Sequence, residues 1–279
     1  MSQSPQSASP EMPVYFVSHG GPNLLDPKDY PSDQPIAQGL AKIGRDILAL
    51  RPRALLVLSG HWEAGPASLQ INGKSAQSLP LIYDFYGFPP SFYKEQFAHS
   101  VSPQFSRQVA DLVSDAGIPV ELVDRGLDHG VWVVLKKAGL AAAPFPIAQL
   151  SLFRSDDMAQ HVRLGEALSA LRSQGVVIVG SGMAVHNLRD LFGPGAASAG
   201  VREYVPLFDK EIEAALMSDD RRQAIVDLAH SDYLRRAHPT LEHLMPLHVA
   251  VGAAKDAKSV EKLLEAYQVS MSWSCYKFT

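Results

Sequence analysis

Val176-Val-Ile-Val-Gly-Ser181 is a short apolar run closed by Gly and Ser, and its reading decides the fold. Four aliphatic residues in a row, three of them valine, with no polar residue alternating between them, describe a strand covered on both faces. Such strands belong to a mostly parallel sheet with helices on each side. Two other runs read the same way: Val14-Tyr-Phe-Val-Ser18, which leads directly into His19, and Ala54-Leu-Leu-Val-Leu-Ser-Gly60, which leads into His61. The first run is followed five residues later by His186. In open α/β sheets the functional crevice lies beyond the carboxyl ends of the strands. Three of the ten histidines are therefore delivered to one sheet edge. A single histidine there is most often a satisfied structural residue. Three of them, accompanied by Asp128-His129 and Glu242-His243, point instead to a metal site, because neutral imidazole is the commonest side-chain metal ligand.

Working outward, residues 36–50 place Ile36, Leu40, Ile43 and Ile47 on one helical face, and Arg51-Pro52 stops the helix. Residues 105–116, 158–171, 201–217 and 221–229 carry further helical periods, and residues 120–123 and 145–152 read as strands. Strand and helix alternate through the first two thirds, which predicts an α/β fold: one domain with a central, mostly parallel or mixed sheet and helices on both faces. Residues 64–93 and 192–200 read as long loops, the kind that build pockets in compact enzymes. Residues 1–13, MSQSPQSASPEMP, are rich in Ser, Gln and Pro and lack the basic start and apolar core of a secretion signal. They are expected to form a disordered N-terminal tail, leaving 14–279 as the folded domain.

Composition narrows the class of partner. The chain has 279 residues, 46% of them hydrophobic, and a net charge of -4 with Lys and Arg scattered along it. That balance argues against nucleic acid or an anionic membrane surface as partner. No stretch approaches the ~18 to 20 apolar residues of a membrane helix. The single cysteine, Cys275, cannot form an internal disulfide, which suits a reducing, cytoplasmic setting. No heptad run demands assembly, so a monomer or small homo-oligomer is expected.

Six ordered motifs carry a family resemblance over nearly the whole folded chain: His19-Gly-Gly-Pro22, Ser59-Gly-His-Trp-Glu63, Tyr83-Asp-Phe-Tyr-Gly-Phe-Pro89, Leu127-Asp-His-Gly-Val-Trp132, Gly180-Ser-Gly-Met-Ala-Val-His-Asn-Leu-Arg189 and Pro239-Thr-Leu-Glu-His243. At these positions the sequence resembles the class III extradiol ring-cleavage dioxygenases, in the DOPA 4,5-dioxygenase branch. The resemblance implies that 14–279 is a catalytic domain that opens a catechol with O2 to a muconic semialdehyde. It also implies that His19, His61 and His243 hold a non-haem metal. Fe(II) would serve the activity, since two histidines and one further ligand leave positions open for substrate and oxygen; Zn(II) can fill the same site. Some relatives supply a carboxylate instead, which makes Glu242 a neighbour of interest. Many relatives have Ser where this chain has Gly21.

By the same resemblance His186 is the base that takes a catechol proton, or a residue that approaches the metal itself. His129, read as lying in a loop, is a second acid or base, with Asp128 considered as the group that holds its tautomer. Tyr83, Phe85, Tyr86 and Phe88 offer an apolar wall for a ring, Trp62 flanks a ligand, and Arg189 is a candidate for a substrate carboxylate or for a structural ion pair. His99, His161, His230 and His248 read as structural, and His238 as a minor site candidate. A zinc-dependent hydrolase or amidase is the rival reading, because a three-histidine site can also activate water. It lacks the His-Glu-x-x-His helix and the Gly-x-Ser-x-Gly elbow of the common versions. A non-catalytic metal-binding scaffold is the third.

Overall fold

The three apolar runs pair side by side. In the computed structural model, which describes residues 11–194, 198 and 200–279, the strands in chain order begin with β1 (Val14–Ser18), β2 (Ala54–Glu63), β3 (Leu69–Asn72) and β4 (Val120–Val123). They continue with β5 (Ile147–Leu152), β6 (Val176–Gly182) and β7 (Val185–His186), then β8 (Val260–Leu264), β9 (Tyr267–Gln268), β10 (Met271–Ser272) and β11 (Cys275–Phe278). Eight of them form one mixed sheet in the order β4-β3-β5-β2-β6-β1-β11-β8, with the centre β5-β2-β6-β1 parallel and β11 and β8 antiparallel at one side. β7, β10 and β9 form a separate three-stranded sheet. In the main sheet Ser18 lies opposite Gly182 and Ser59 opposite Ser181, so β1 and β6 finish level with one another and β2 passes the same line at Ser59 before running on to Glu63.

Each central strand feeds both faces because side chains alternate. Val14, Phe16, Leu56, Leu58, Val176 and Ile178 enter one buried layer, while Tyr15, Val17, Leu55, Val57, Val177 and Val179 enter the other. The second layer is closed by α1 (Pro35–Leu50), through Ile36, Leu40, Ile43 and Ile47, and by α3 (His129–Lys137). The first is closed by α2 (Pro103–Asp115), α4 (Met158–Leu168), α6 (Tyr204–Leu216), α7 (Arg221–Asp227) and α9 (Met245–Ala253), with the single turns α5 (Leu188–Leu191) and α8 (Leu234–Ala237) along the chain between them. Each fully buried aliphatic side chain stabilises the fold by about 1.5–3 kcal/mol, so both layers matter. Among the described residues no helix is long and apolar enough to cross a membrane.

Several expectations are corrected. His129 lies not in a loop but in the first turn of α3, with Asp128 at its N-cap. Both α3 and α9 escape the periodic pattern because all or nearly all of their residues are buried and no polar stripe marks a period. The expected loop 64–93 contains β3. Of the residues 1–13 expected to form a disordered tail, 1–10 lie outside the described ones, while Met12 exchanges backbone and guanidinium hydrogen bonds with Arg172 at 3.1 and 2.8 Å, and Glu11 pairs with Arg172 at 3.1 Å.

α4 and α9 touch backbone to backbone. A Cβ on Gly165 would sit 2.1 Å from the Val249 carbonyl oxygen, and one on Gly252 would sit 2.0 Å from that of Val162. Gly165→Ala should therefore lower stability by about 1–3 kcal/mol in urea denaturation, even though Ala is the better helix former; a stabilised variant would contradict this packing.

His238 is wholly buried, with Nε2 2.9 Å from the Ala184 carbonyl and Nδ1 without a partner among the described residues. Burial pushes its pKa down to about 4. The unfolded chain binds the proton near its ordinary value, so stability is lost as pH falls from about 6.5 towards 4, by roughly 2 kcal/mol between neutral pH and pH ~5. The His238→Gln variant should show a smaller loss over that interval when its urea midpoints are compared with those of the wild type.

Candidate metal centre

His19 follows β1 directly, with its N–H on the Gly182 carbonyl at 2.9 Å, and His61 lies within the last four residues of β2. His243 arrives from the turn before α9, and its own carbonyl accepts from the Met183 N–H at 2.9 Å. Two glycines of β6 make that arrival possible: a Cβ on Gly182 would stand 2.1 Å from the His243 carbonyl oxygen, and one on Gly180 2.2 Å from that of Pro246. Gly130, at the start of α3, faces His19, His61 and Ser59 so closely that a Cβ would be 2.8 Å from the His61 ring.

The three imidazoles meet through their Nε2 atoms, His19 to His61 at 3.1 Å and His61 to His243 at 3.1 Å. The protons can be placed. His61 Nδ1 donates to Asp84 Oδ2 at 3.2 Å and His243 Nδ1 to Glu242 Oε1 at 3.1 Å, since an ionised carboxylate only accepts. Ser181 Oγ spends its one proton on the Gly130 carbonyl, so it must accept from His19 Nδ1 at 3.0 Å. All three Nε2 atoms thus present lone pairs to one another with no proton between them. A cation is the partner they lack. Nitrogens 3.1 Å apart are also spaced as two imidazoles are when each lies ~2.0–2.1 Å from one ion. Burial, reinforced by the neighbouring imidazoles, holds His19 and His243 well below the ordinary histidine range, in the neutral form a metal requires.

Asp84 is the residue that sequence reasoning passed over. Its Oδ1 accepts from His129 Nδ1 at 2.9 Å and from the His129 backbone N–H at 3.0 Å, while Oδ2 holds His61. Burial alone would raise its pKa, but these hydrogen bonds outweigh it and keep the carboxylate ionised. Asp128 does not orient His129. It is fully buried against Ser59, Gln149 and Arg125, behind the sheet end. His129 stays neutral, pulled down by burial and by His61, and its ring centroid lies 4.0 Å from that of His61.

His186 stacks on His243 with centroids 3.7 Å apart and planes 12° from parallel. Imidazole lone pairs lie in the ring plane, so two rings stacked in this way cannot both aim at one ion. His186 therefore stands beside the three converging nitrogens, neutral because burial and His243 disfavour its charged form. Glu242 accepts from His243 Nδ1, lines the cleft itself, and has a carboxylate oxygen within 4.8 Å of ligand nitrogens of both His186 and His243.

These groups open onto a cleft of about 1320 Å³. Phe85, Tyr86 and Phe88 line it as expected. Tyr83 does not: its hydroxyl donates to the Glu95 carbonyl at 2.6 Å and its ring packs on Trp132. Trp62 is likewise turned away, under the Arg125 guanidinium at 4.1 Å. Arg189 lines the cleft without a carboxylate partner among the described residues. His238 and His248 are buried elsewhere against backbone carbonyls, and His161 against Phe153. Asp84 could have been suspected as the lone carboxylate in the aromatic motif; Ser181 gave no signal, because its role depends on Gly130 across the sheet edge.

Comparison with known proteins agrees with this geometry. Residues 13–278 match the family model described as the catalytic LigB subunit of aromatic ring-opening dioxygenase. The chain is 34% identical over 269 residues to 4,5-DOPA dioxygenase extradiol of Beta vulgaris, covering 95% of this chain and 96% of that protein. It is 30% identical over 249 residues to the protein of the same name from Escherichia coli K12, covering 88% and 86%. A crystal structure of an uncharacterized Escherichia coli K12 protein superposes with a TM-score of 0.76 at 27% identity, over 96% of this chain and 100% of that one. With its three convergent imidazoles and a family match over nearly its whole length, the chain belongs to the LigB family of extradiol, aromatic ring-opening dioxygenases.

Proposed function

We propose that the protein binds Fe(II) through His19, His61 and His243 and uses O2 to open the ring of a catechol outside the diol, giving a muconic semialdehyde that retains both oxygen atoms. The observation that carries this reading is the convergence of three unprotonated Nε2 atoms at the floor of an aromatic-lined cleft. His19, His61 and His243 would hold the ion through neutral imidazoles, a donor set that suits Fe(II) and would leave further positions for other ligands. When bound there, Fe(II) supplies those positions to the diol oxygens and O2, and lowers the pKa of a bound hydroxyl.

The chain's own residues handle the protons. His186, neutral and stacked beside His243, accepts the proton of one catechol hydroxyl. His129 holds its proton on Nδ1 against Asp84, so its Nε2 carries a lone pair. Once protonated at Nε2 it can return a proton to a developing oxygen anion. Asp84 ties this acid to the ligand His61, so both rings keep one tautomer and one orientation. Phe85 and Phe88 give the ring an apolar face and exclude water from it.

Anaerobic reconstitution with Fe(II), followed by simultaneous recording of oxygen uptake and visible absorbance with a panel of catechols, tests the activity. Uptake with a growing yellow product is expected. Iron bound at one equivalent with no uptake on any catechol would move the assignment to a zinc hydrolase and an ester or amide screen. Replacing His61 by Ala should abolish metal binding while leaving the circular dichroism spectrum unchanged, and full metal content would remove it as a ligand. His186→Ala should bind catechol yet turn over about 100-fold more slowly; an unchanged kcat would take the base role from it.

A further inference from the structure

The small sheet β7-β10-β9 sets three side chains in a row. His186 pairs with Met271, and Met271 pairs with Gln268, so the three side chains project to the same face, two strand steps of roughly 4.5–5.5 Å from end to end. All three line the cleft. His186 is accounted for by the chemistry above, but Gln268 is not.

The orientation of the Gln268 amide is decided by its neighbours. Trp273 Nε1 stands 3.0 Å from Oε1, and an indole N–H can only donate, so that amide atom must be the oxygen. Tyr30 Oη is 2.8 Å from the same oxygen and therefore donates to it as well. With Oε1 accepting twice, the two protons of Nε2 are left without a protein partner among the described residues, on a residue that lines the cleft. The support is stiff. Trp273 is almost wholly buried, packs on Tyr30 with centroids 5.4 Å apart, and presses against Gly20, where φ is +60° and a Cβ would meet the indole ring at 2.0 Å. Gly20 directly follows His19, so the donor is braced against the turn that carries a candidate ligand. Between His186 and Gln268 the buried thioether of Met271 offers only apolar surface.

Read along the row, the cleft presents a proton acceptor, an apolar step and a fixed pair of N–H donors. We propose that Gln268 is a specificity-determining residue that reads a hydrogen-bond acceptor oxygen, such as a carboxylate, at the end of the ring substituent, with Met271 under the hydrocarbon that joins it to the ring. This inference rests on the catechol reading of the site. It concerns recognition, not the chemical step.

A matched pair of probes tests it: 3-(3,4-dihydroxyphenyl)propionate and 4-propylcatechol, which differ in the terminal acceptor. Dissociation constants come from anaerobic tryptophan fluorescence titration of the Fe(II)-loaded protein, and kcat/KM from oxygen uptake. The wild type should prefer the propionate by about tenfold to a hundredfold in both measurements, the size of a hydrogen bond to a charged group. Gln268→Glu keeps an oxygen for Tyr30 and Trp273 but replaces the donor with a negative acceptor, and should lower the ratio between the two probes at least tenfold with little change in Tm. Equal wild-type affinities, absence of binding by both probes, or an unchanged ratio in the variant would each overturn the proposal. Discrimination in binding without any oxygen uptake would uphold the role of Gln268 and overturn ring cleavage instead.

Discussion

Three imidazole nitrogens brought within 3.1 Å steps of one another, none carrying a proton, are the constraint on which the rest of the structure depends. Such an arrangement repels itself unless a cation sits among the lone pairs, and it persists only if every opposite nitrogen is held by an acceptor. Asp84, Glu242 and Ser181 are those acceptors, and each is fixed in turn: Asp84 by the backbone N–H of His129, Glu242 by Thr240, Ser181 by the Gly130 carbonyl. Hydrogen bonds to the carboxylates contribute about 1.5–3 kcal/mol each and the neutral ones at Ser181 about 0.5–1.5, and losing one would free a ring to change tautomer and withdraw its lone pair.

The sheet provides the precision. β6 lies between β1 and β2, so the run that ends Gly180-Ser-Gly-Met183 passes beneath the whole centre. Gly180 and Gly182 admit the backbone that brings His243, Ser181 orients His19, and the Met183 N–H anchors the His243 carbonyl. Four successive positions of one strand end thus serve two of the three candidate ligands. Close-packed backbone leaves no room for side chains there, which is why glycine is required at these points rather than merely tolerated.

Proton handling is divided between two supports, one of which it shares with recognition. His129 sits on the first turn of α3 and is tied by Asp84 to the ligand His61, whereas His186 belongs to the small sheet that also carries Met271 and Gln268. A change in the small sheet can therefore reach the centre as well as the substrate, because His186 stacks on His243 and Trp273, which holds Gln268, presses on Gly20 beside His19.

The sequence by itself determined the α/β class, the central strands and the delivery of His19 and His61 to one edge, because a buried strand needs an unbroken apolar run and its end is marked by Gly and Ser. It also placed α1, α2, α4, α6 and α7 within a few residues, since each keeps a polar face. It did not reveal α3 and α9, whose burial on nearly all sides erases the period, nor β9 and β10, which are two residues long and exist only through pairing. His243 was reached only through the family motif, because nothing local says that the turn before α9 folds back onto β6. The assignment of Asp84 rather than Asp128 to His129, the stacking of His186 on His243 and the fixed amide of Gln268 were decided by tertiary structure alone. Each depends on partners far away in the chain, and a hydrogen bond is chosen by distance and direction in space, which sequence spacing does not encode.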